Sequence, residues 1–226
     1  MIFSERLLFI HIGKTGGMSC SDYLLRSLTG PVWNCHQEAD HDQSRLSRKD
    51  ITSVAGLNRH CTLEAASRFL KENFDRRLED FDKIVAVFRH PYSLEYSWYR
   101  HLQKPDVRER RRAQGELLEL AQGDFEEFVR GSGYHRRGLT QERYVQIGGH
   151  MPPNVSIVRF ENLGAEFLEQ VRTFTDVEES NQGDARFPLL NSTVYEVELD
   201  SVLTSSVKSA IQSKHPFVFE TGFYAR

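Results

Sequence analysis

A near-continuous apolar run, Leu7-Leu8-Phe9-Ile10-His11-Ile12, opens the hydrophobic pattern and predicts a buried β-strand. Gly13 to Gly17 breaks it. From Met18 to Leu28 the apolar positions Leu24, Leu25 and Leu28 share one face, which predicts a helix stopped by Gly30-Pro31. Residues 32–53 are polar and irregular, and no element is predicted there. Thr62 is placed to cap a helix running to about Phe74. Lys83-Ile84-Val85-Ala86-Val87-Phe88 is the clearest second strand, ended by Arg89-His90-Pro91, with a helix carrying Tyr92, Tyr96 and Tyr99 behind it. A strongly charged helix is expected over Arg108 to Arg130. Val155 to Phe160 reads as a third strand, followed by a helix with Leu163, Phe167, Leu168 and Val171. A last helix is expected within Val194 to His215.

Short apolar strands separated by helices predict an α/β architecture with a mostly parallel sheet. Ligands of such sheets bind beyond the carboxyl ends of the strands. The two marked strand exits, at Gly13 and at Arg89-His90-Pro91, are therefore where chemistry is expected.

Composition narrows the classes. A chain of 226 residues suits one domain, 1–226, with a core large enough to need no disulfide or metal. Its 29 basic and 32 acidic residues give a net charge of −3, a poor match to non-specific nucleic-acid binding. Cys20, Cys35 and Cys61 are odd in number and irregularly spaced, which fits a reducing compartment rather than a disulfide framework. No run has the length of a membrane span, and Met1 to Arg6 lacks the features of a signal peptide. The expectation is a cytoplasmic chain.

At the first exit, Gly13-Lys14-Thr15-Gly16-Gly17-Met18-Ser19 joins a strand to a helix. Glycines allow a tight turn and close approach, and a helix N-terminus offers unpaired N–H groups to an anion. Lys14 adds a full charge, and Thr15 and Ser19 add hydroxyls. The triphosphate-binding loop requires a glycine six residues before the lysine, where this chain has Leu8. The turn is therefore a shorter anion site, or an ordinary βα turn with a solvated lysine. At the second exit, Arg89 ends a strand and Ser97 lies about two helical turns further on. A guanidinium fork and a hydroxyl can converge on one phosphate, although the spacing also fits an arginine and a serine that never meet.

Together the two segments resemble the sulfotransferases that use 3′-phosphoadenosine 5′-phosphosulfate (PAPS). Arg89, Pro91, Ser97 and Tyr99 match in type and spacing a motif for the 3′-phosphate of that donor, and the Lys14 loop matches the one for its 5′-phosphosulfate. The carbohydrate-directed branch, with the uronyl 2-O-sulfotransferases and bacterial relatives, is the nearest likeness. Weaker matches run through Gln141 to Tyr144, Arg159 to Leu163, Asn191-Ser192 and Phe223-Tyr224. The resemblance implies a P-loop-like, three-layer fold with a central, mostly parallel sheet flanked by helices. It implies PAPS as donor, 3′-phosphoadenosine 5′-phosphate (PAP) as product, and an acceptor hydroxyl on a carbohydrate. The implied donor contacts are residues 13–19, Arg89, Ser97, Asn191 and Ser192. Lys14 would neutralise the leaving phosphate oxygen. The sulfuryl group carries less charge than a phosphoryl group, so no metal is required. Three positions depart from the family pattern: Gly13 for proline, Met18 for threonine, and Leu94 for the second arginine of the 3′-phosphate motif.

The acceptor hydroxyl needs a base. His60, just before the Thr62 helix, is the favoured candidate, matching a histidine that serves as base in the uronyl 2-O-sulfotransferases, and an imidazole titrates in the useful range. His11 is the second candidate, with a structural role expected. His36 and His41 are possible lining of the acceptor cleft. The clusters Arg108, Arg110 to Arg112 and Arg136-Arg137 alternate with glutamates and read as a solvated, ion-paired face. Competing classes are a nucleotide or nucleoside kinase, a non-catalytic anion-binding relative, and a zinc domain drawing on Cys35, His36, His41, His60 and Cys61. The zinc reading lacks paired ligand spacing.

Overall fold

A computed structural model of the chain describes residues 1–36, 50–132, 140–176, 187–188 and 196–225. The chain divides into two compact units, Met1–Phe88 with Arg143–Ser192, and Arg89–Glu142 with Thr193–Arg226.

The first unit carries one six-stranded sheet: β1 (Ile2–Phe3), β2 (Leu7–Ile10), β3 (Val32–His36), β4 (Ile51–Ala55), β5 (Lys83–Phe88) and β6 (Val155–Arg159), in the order β4-β3-β1-β2-β5-β6. β2, β5 and β6 run parallel, as do β3 and β4. The two-residue β1 is antiparallel to both its neighbours. Alternation of side chains sorts the core into two layers. On one face Leu7, Phe9, Val85, Val87 and Val158 pack against Leu24, Leu25 and Leu28 from α1 (Gly17–Ser27) and its end, and against Phe167 and Val171 of α7 (Leu163–Val171). On the other, the Phe3 ring stacks on Trp33 at 4.9 Å and meets Phe74 edge-on at 5.1 Å, at the end of α2 (Leu63–Phe74). Each such side chain contributes roughly 1.5–3 kcal/mol when buried. The result is the expected α/β arrangement of helix, mostly parallel sheet and helix. Asn154 ties the starts of β5 and β6 together: its Nδ2 donates to the carbonyls of Leu78 (2.9 Å) and Phe81 (2.8 Å).

The second unit is helical. It contains α3 (Pro91–Leu102), α4 (Pro105–Arg110), α5 (Gly115–Leu120), α6 (Phe125–Gly131), α8 (Glu196–Val202), α9 (Ser205–Lys214) and α10 (Pro216–Glu220). Pro91 begins α3 at the position where a missing N–H costs nothing. Glu95 and His215 face each other across α3 and the end of α9, Oε1 to Nε2 at 2.9 Å, and both are buried. Tyr99 Oη donates to the Gly123 carbonyl at 2.8 Å, tying α3 to the start of α6.

Three expectations change. Residues 32–53 hold two strands, β3 and β4, where none was expected. β4 is a half-exposed edge strand, so it shows no apolar run, and only its pairing with β3 reveals it. The helix expected over 108–130 is three short ones. Gly115 starts α5, and Asp124 caps α6 by accepting from the Glu127 amide at 2.8 Å. The helix expected over Val194 to His215 is interrupted as well, between α8 and α9, where the Thr204 side chain caps α9 by accepting from the Val207 amide. Around α4 the arginines pair locally, Arg110 with Asp106 and Arg112 with Glu109, all exposed, as an ion-paired face should. Arg136 and Arg137 lie outside the described residues. Among the described residues no helix is long and apolar enough to cross a membrane.

The α2 cap gives a stability test. The Thr62 hydroxyl accepts from the Ala65 amide. Thr62→Ala is expected to cost about 1 kcal/mol in a urea unfolding titration, and an unchanged midpoint would show that the cap is energetically idle.

Candidate functional site

The chain leaves β2 through Ile12 into a turn that is left-handed at two positions, Lys14 (φ 67°) and Gly16 (φ 76°). A lysine pays roughly 1–2 kcal/mol for that conformation, so the turn is held by something else. The Thr15 side chain is fully buried, and its hydroxyl donates to the Ile12 carbonyl at 3.0 Å. Thr15 is therefore a brace of the turn rather than an open hydroxyl. Gly16 caps α1 with no side chain. Its carbonyl takes the amides of Ser19 (3.0 Å) and Cys20 (3.3 Å). No acidic residue sits in the first turn of α1, so nothing there offsets the positive end of the helix. Left-handed residues within such a turn are the backbone from which anion-binding nests are built.

Gly17 is dictated by packing. A Cβ there would collide with the imidazole of His11. That ring is buried, and its Nδ1 lies 3.5 Å from Ser21 Oγ. Burial first, and then the neighbouring His60 ring, hold the His11 pKa well below the usual histidine value. A buried ring that stays neutral packs the turn from within.

His60 is exposed and sits with its ring edge-on to His11 at 4.6 Å. Its Nδ1 is 3.1 Å from the His11 main-chain oxygen. A carbonyl only accepts, so Nδ1 carries the proton. In the neutral ring the lone pair then belongs to Nε2, the atom a base would use. His60 and the Lys14 turn thus belong to one piece of structure, since His11 ends the strand run that Lys14 follows.

The structure adds Arg59, which the sequence reading passed over. Its Nη1 donates to the sulfur of Met18 at 3.4 Å. Met18 is 44% exposed on the first turn of α1. A thioether is a weak acceptor, and this contact brings a second cation to the turn where Met18 replaces a hydroxyl residue. No short motif marks Arg59, and only the fold carries it to α1.

In the second unit, Arg89 follows the last residue of β5. The Gln141 carboxamide accepts from the Arg89 amide (2.8 Å) and donates to its carbonyl (3.0 Å), acting as a substitute strand partner. Arg89 Nε donates to Ser93 Oγ at 3.0 Å, and that hydroxyl donates to the His90 carbonyl at 3.1 Å. Ser93 and Ser97 are four residues apart on α3 and share a face. Ser93 is the hydroxyl that orients the guanidinium, and Ser97 lies one turn further on, buried. Leu94 is 2% exposed, so the position of the second motif arginine is a core position here. Tyr99 is engaged with Gly123 as described. Asn191, Ser192 and His41 lie outside the described residues, as does the side chain of His36.

β2 and β5 are parallel neighbours, Ile10 opposite Ala86, so the two strands end at the same edge of the sheet. Cys35 and Cys61 are buried thiols whose pKa values burial raises, that of Cys35 to about 12. Neutral thiols are poor zinc ligands, and among the described residues no three His, Cys, Asp or Glu side chains are grouped to hold a metal.

No known family profile matches the chain, and no curated protein matches it. A crystal structure of a sulfotransferase from Alicyclobacillus acidocaldarius aligns with 93% of this chain and 95% of its own, at 14% identity and a TM-score of 0.39.

Two measurements test the geometry. Gly17→Ala forces overpacking against His11 and is expected to lower stability by about 1–3 kcal/mol, read from urea unfolding; no loss would mean the ring moves aside freely. The His11 pKa is depressed in the fold, so its contribution is complete above the unfolded value of about 6.5 and is lost as pH falls below it. Unfolding midpoints should drop between about pH 7.5 and about pH 5. The drop should shrink in His11→Gln, whereas an equal drop in that variant would assign it to other groups.

Proposed function

We propose that this chain is a PAPS-dependent sulfotransferase that acts on a hydroxyl of a carbohydrate, its two units working as one catalytic domain. The observation that supports the reading is the hydrogen bond from His60 Nδ1 to the carbonyl of His11, three residues before Lys14, which leaves Nε2 as the proton-accepting atom of the ring. The motif resemblance at both strand exits supports it.

In this reading the 5′-phosphosulfate lies on the Gly13 to Ser19 turn and the α1 amides, with Lys14 and Arg59 as its cations. The 3′-phosphate is held by Arg89, oriented by Ser93, with Ser97 and the Asn191-Ser192 segment as further contacts. The acceptor oxygen attacks sulfur in line. Its proton passes to His60 Nε2, and the bond from sulfur to the phosphate oxygen breaks. Lys14 neutralises the charge that develops on that oxygen, and PAP departs. By analogy with phosphoryl transfer, positioning and electrostatics supply most of the rate.

PAP without magnesium is expected to raise the melting temperature, because ligands that bind the native state stabilise it. Arg89→Ala should weaken PAP binding roughly 10- to 100-fold while leaving adenosine 5′-phosphate nearly unaffected, the size of a lost charged hydrogen bond. With labelled PAPS, His60→Ala should slow transfer about 10²-fold or more, and Lys14→Ala should slow transfer without unfolding the chain. Stabilisation by ATP with magnesium in place of PAP would favour the kinase reading instead.

A further inference from the structure

Thr62, Glu64, Arg143, Gln146, Gly148 and Gly149 line a surface cavity of about 170 Å³ in the first unit. We propose that this cavity binds one uncharged sugar ring of the acceptor through its hydroxyls, with Arg143, Gln146 and Glu64 setting specificity. The proposal deepens the sulfotransferase reading and rests on it.

The lining is polar throughout: a hydroxyl, a carboxylate, a guanidinium, a carboxamide and two glycine peptides. Lipid and planar aromatic acceptors need apolar walls, which this cavity lacks. Its two charges are of opposite sign, so it selects neither a strong anion nor a strong cation. A ring whose hydroxyls both donate and accept satisfies such a set: Glu64 accepts, Arg143 donates, and the Gln146 amide does either. The Thr62 oxygen already accepts from the Ala65 amide, which leaves its proton to donate outward. At about 170 Å³ the cavity is compact and suits a single ring rather than an extended chain.

The floor of the cavity is built for close approach. Ile147 and His150 exchange backbone hydrogen bonds of 2.9 and 3.0 Å around Gly148 and Gly149, whose φ values are 58° and 79°. Both central residues of this two-residue turn are left-handed, which side chains resist, so the turn presents bare peptide. The segment is anchored as well. Tyr144 is buried, and burial, followed by the nearby Cys61 thiol, pushes its pKa up to about 12. Arg143 and Gln146 flank this buried tyrosine and share the cavity lining with Thr62. His60 is two residues from Thr62, at most about 7 Å along the backbone. The cavity thus lies close along the chain to the residue proposed as base.

The test is saturation-transfer NMR and calorimetry on the full chain in the presence of PAP, with lactose and maltose as neutral probes and a glucuronic-acid disaccharide as the anionic one. A neutral probe is expected to bind, and Gln146→Ala and Arg143→Ala are each expected to weaken it at least about 10-fold, as loss of a hydrogen bond to a sugar hydroxyl does. The isosteric Glu64→Gln should weaken it too, with the melting shift caused by PAP unchanged in all three. Binding that survives these substitutions overturns the proposal, as does binding of the uronate disaccharide alone. Sugar binding absent while PAP still binds overturns the cavity assignment and spares the donor reading. Failure of PAP to bind the wild-type chain, with the neutral probe still lost in the three variants, overturns the donor reading and sustains the sugar site.

Discussion

The hydrogen bond between His60 Nδ1 and the His11 carbonyl joins two loops that are 49 residues apart in the chain. It fixes where the exposed imidazole sits and which of its nitrogens carries the proton. The carbonyl it uses belongs to the residue that leads out of β2 into the Lys14 turn. Movement of that strand exit would move the Lys14 turn and the His60 ring together. On the proposed reading such a link matters, since misplacement of a reacting group by about an ångström can cost 10²-fold.

The His11 side chain supports the same arrangement from below. Its ring fills the space against Gly17 and stays neutral because it is buried. A charged ring there would also face the positive charges of the amino terminus and Arg59. The glycine, the buried histidine and the left-handed lysine are therefore one packing solution. Strain at Lys14 is tolerated because Thr15, buried beneath it, holds the turn to Ile12.

The second unit solves a similar problem with different parts. β5 ends without a further strand to pair with, and the Gln141 amide satisfies the Arg89 backbone on both its donor and acceptor sides. Ser93 then fixes the plane of the guanidinium. Gln141 reaches Arg89 from 52 residues away, whereas Ser93 reaches it from four residues along the chain. Leu94 shows the converse: the face of α3 that it occupies is core, so an arginine there would bury a charge.

Strands β2, β5 and β6 and helices α1, α2 and α7 were legible in the chain because buried parallel strands are apolar runs and their helices carry one apolar face. The glycine turn after β2 and the Arg89-His90-Pro91 exit from β5 were legible because glycine and proline end an apolar run. Strands β3 and β4 were not, because an edge pair is polar and is defined by a partner distant in sequence. The breaks within 108–130 depended on capping by Asp124 and on glycine positions that a charge pattern hides. Arg59 and Gln141 share that limit: their partners, Met18 and Arg89, lie 41 and 52 residues away in the chain. Local pattern determined the buried strands, the helices with one apolar face and the glycine turn between them. Tertiary packing decided the contacts between segments distant in the chain, such as His60 with the His11 carbonyl, since those distances are set by how elements stack and not by how far apart they lie in the chain.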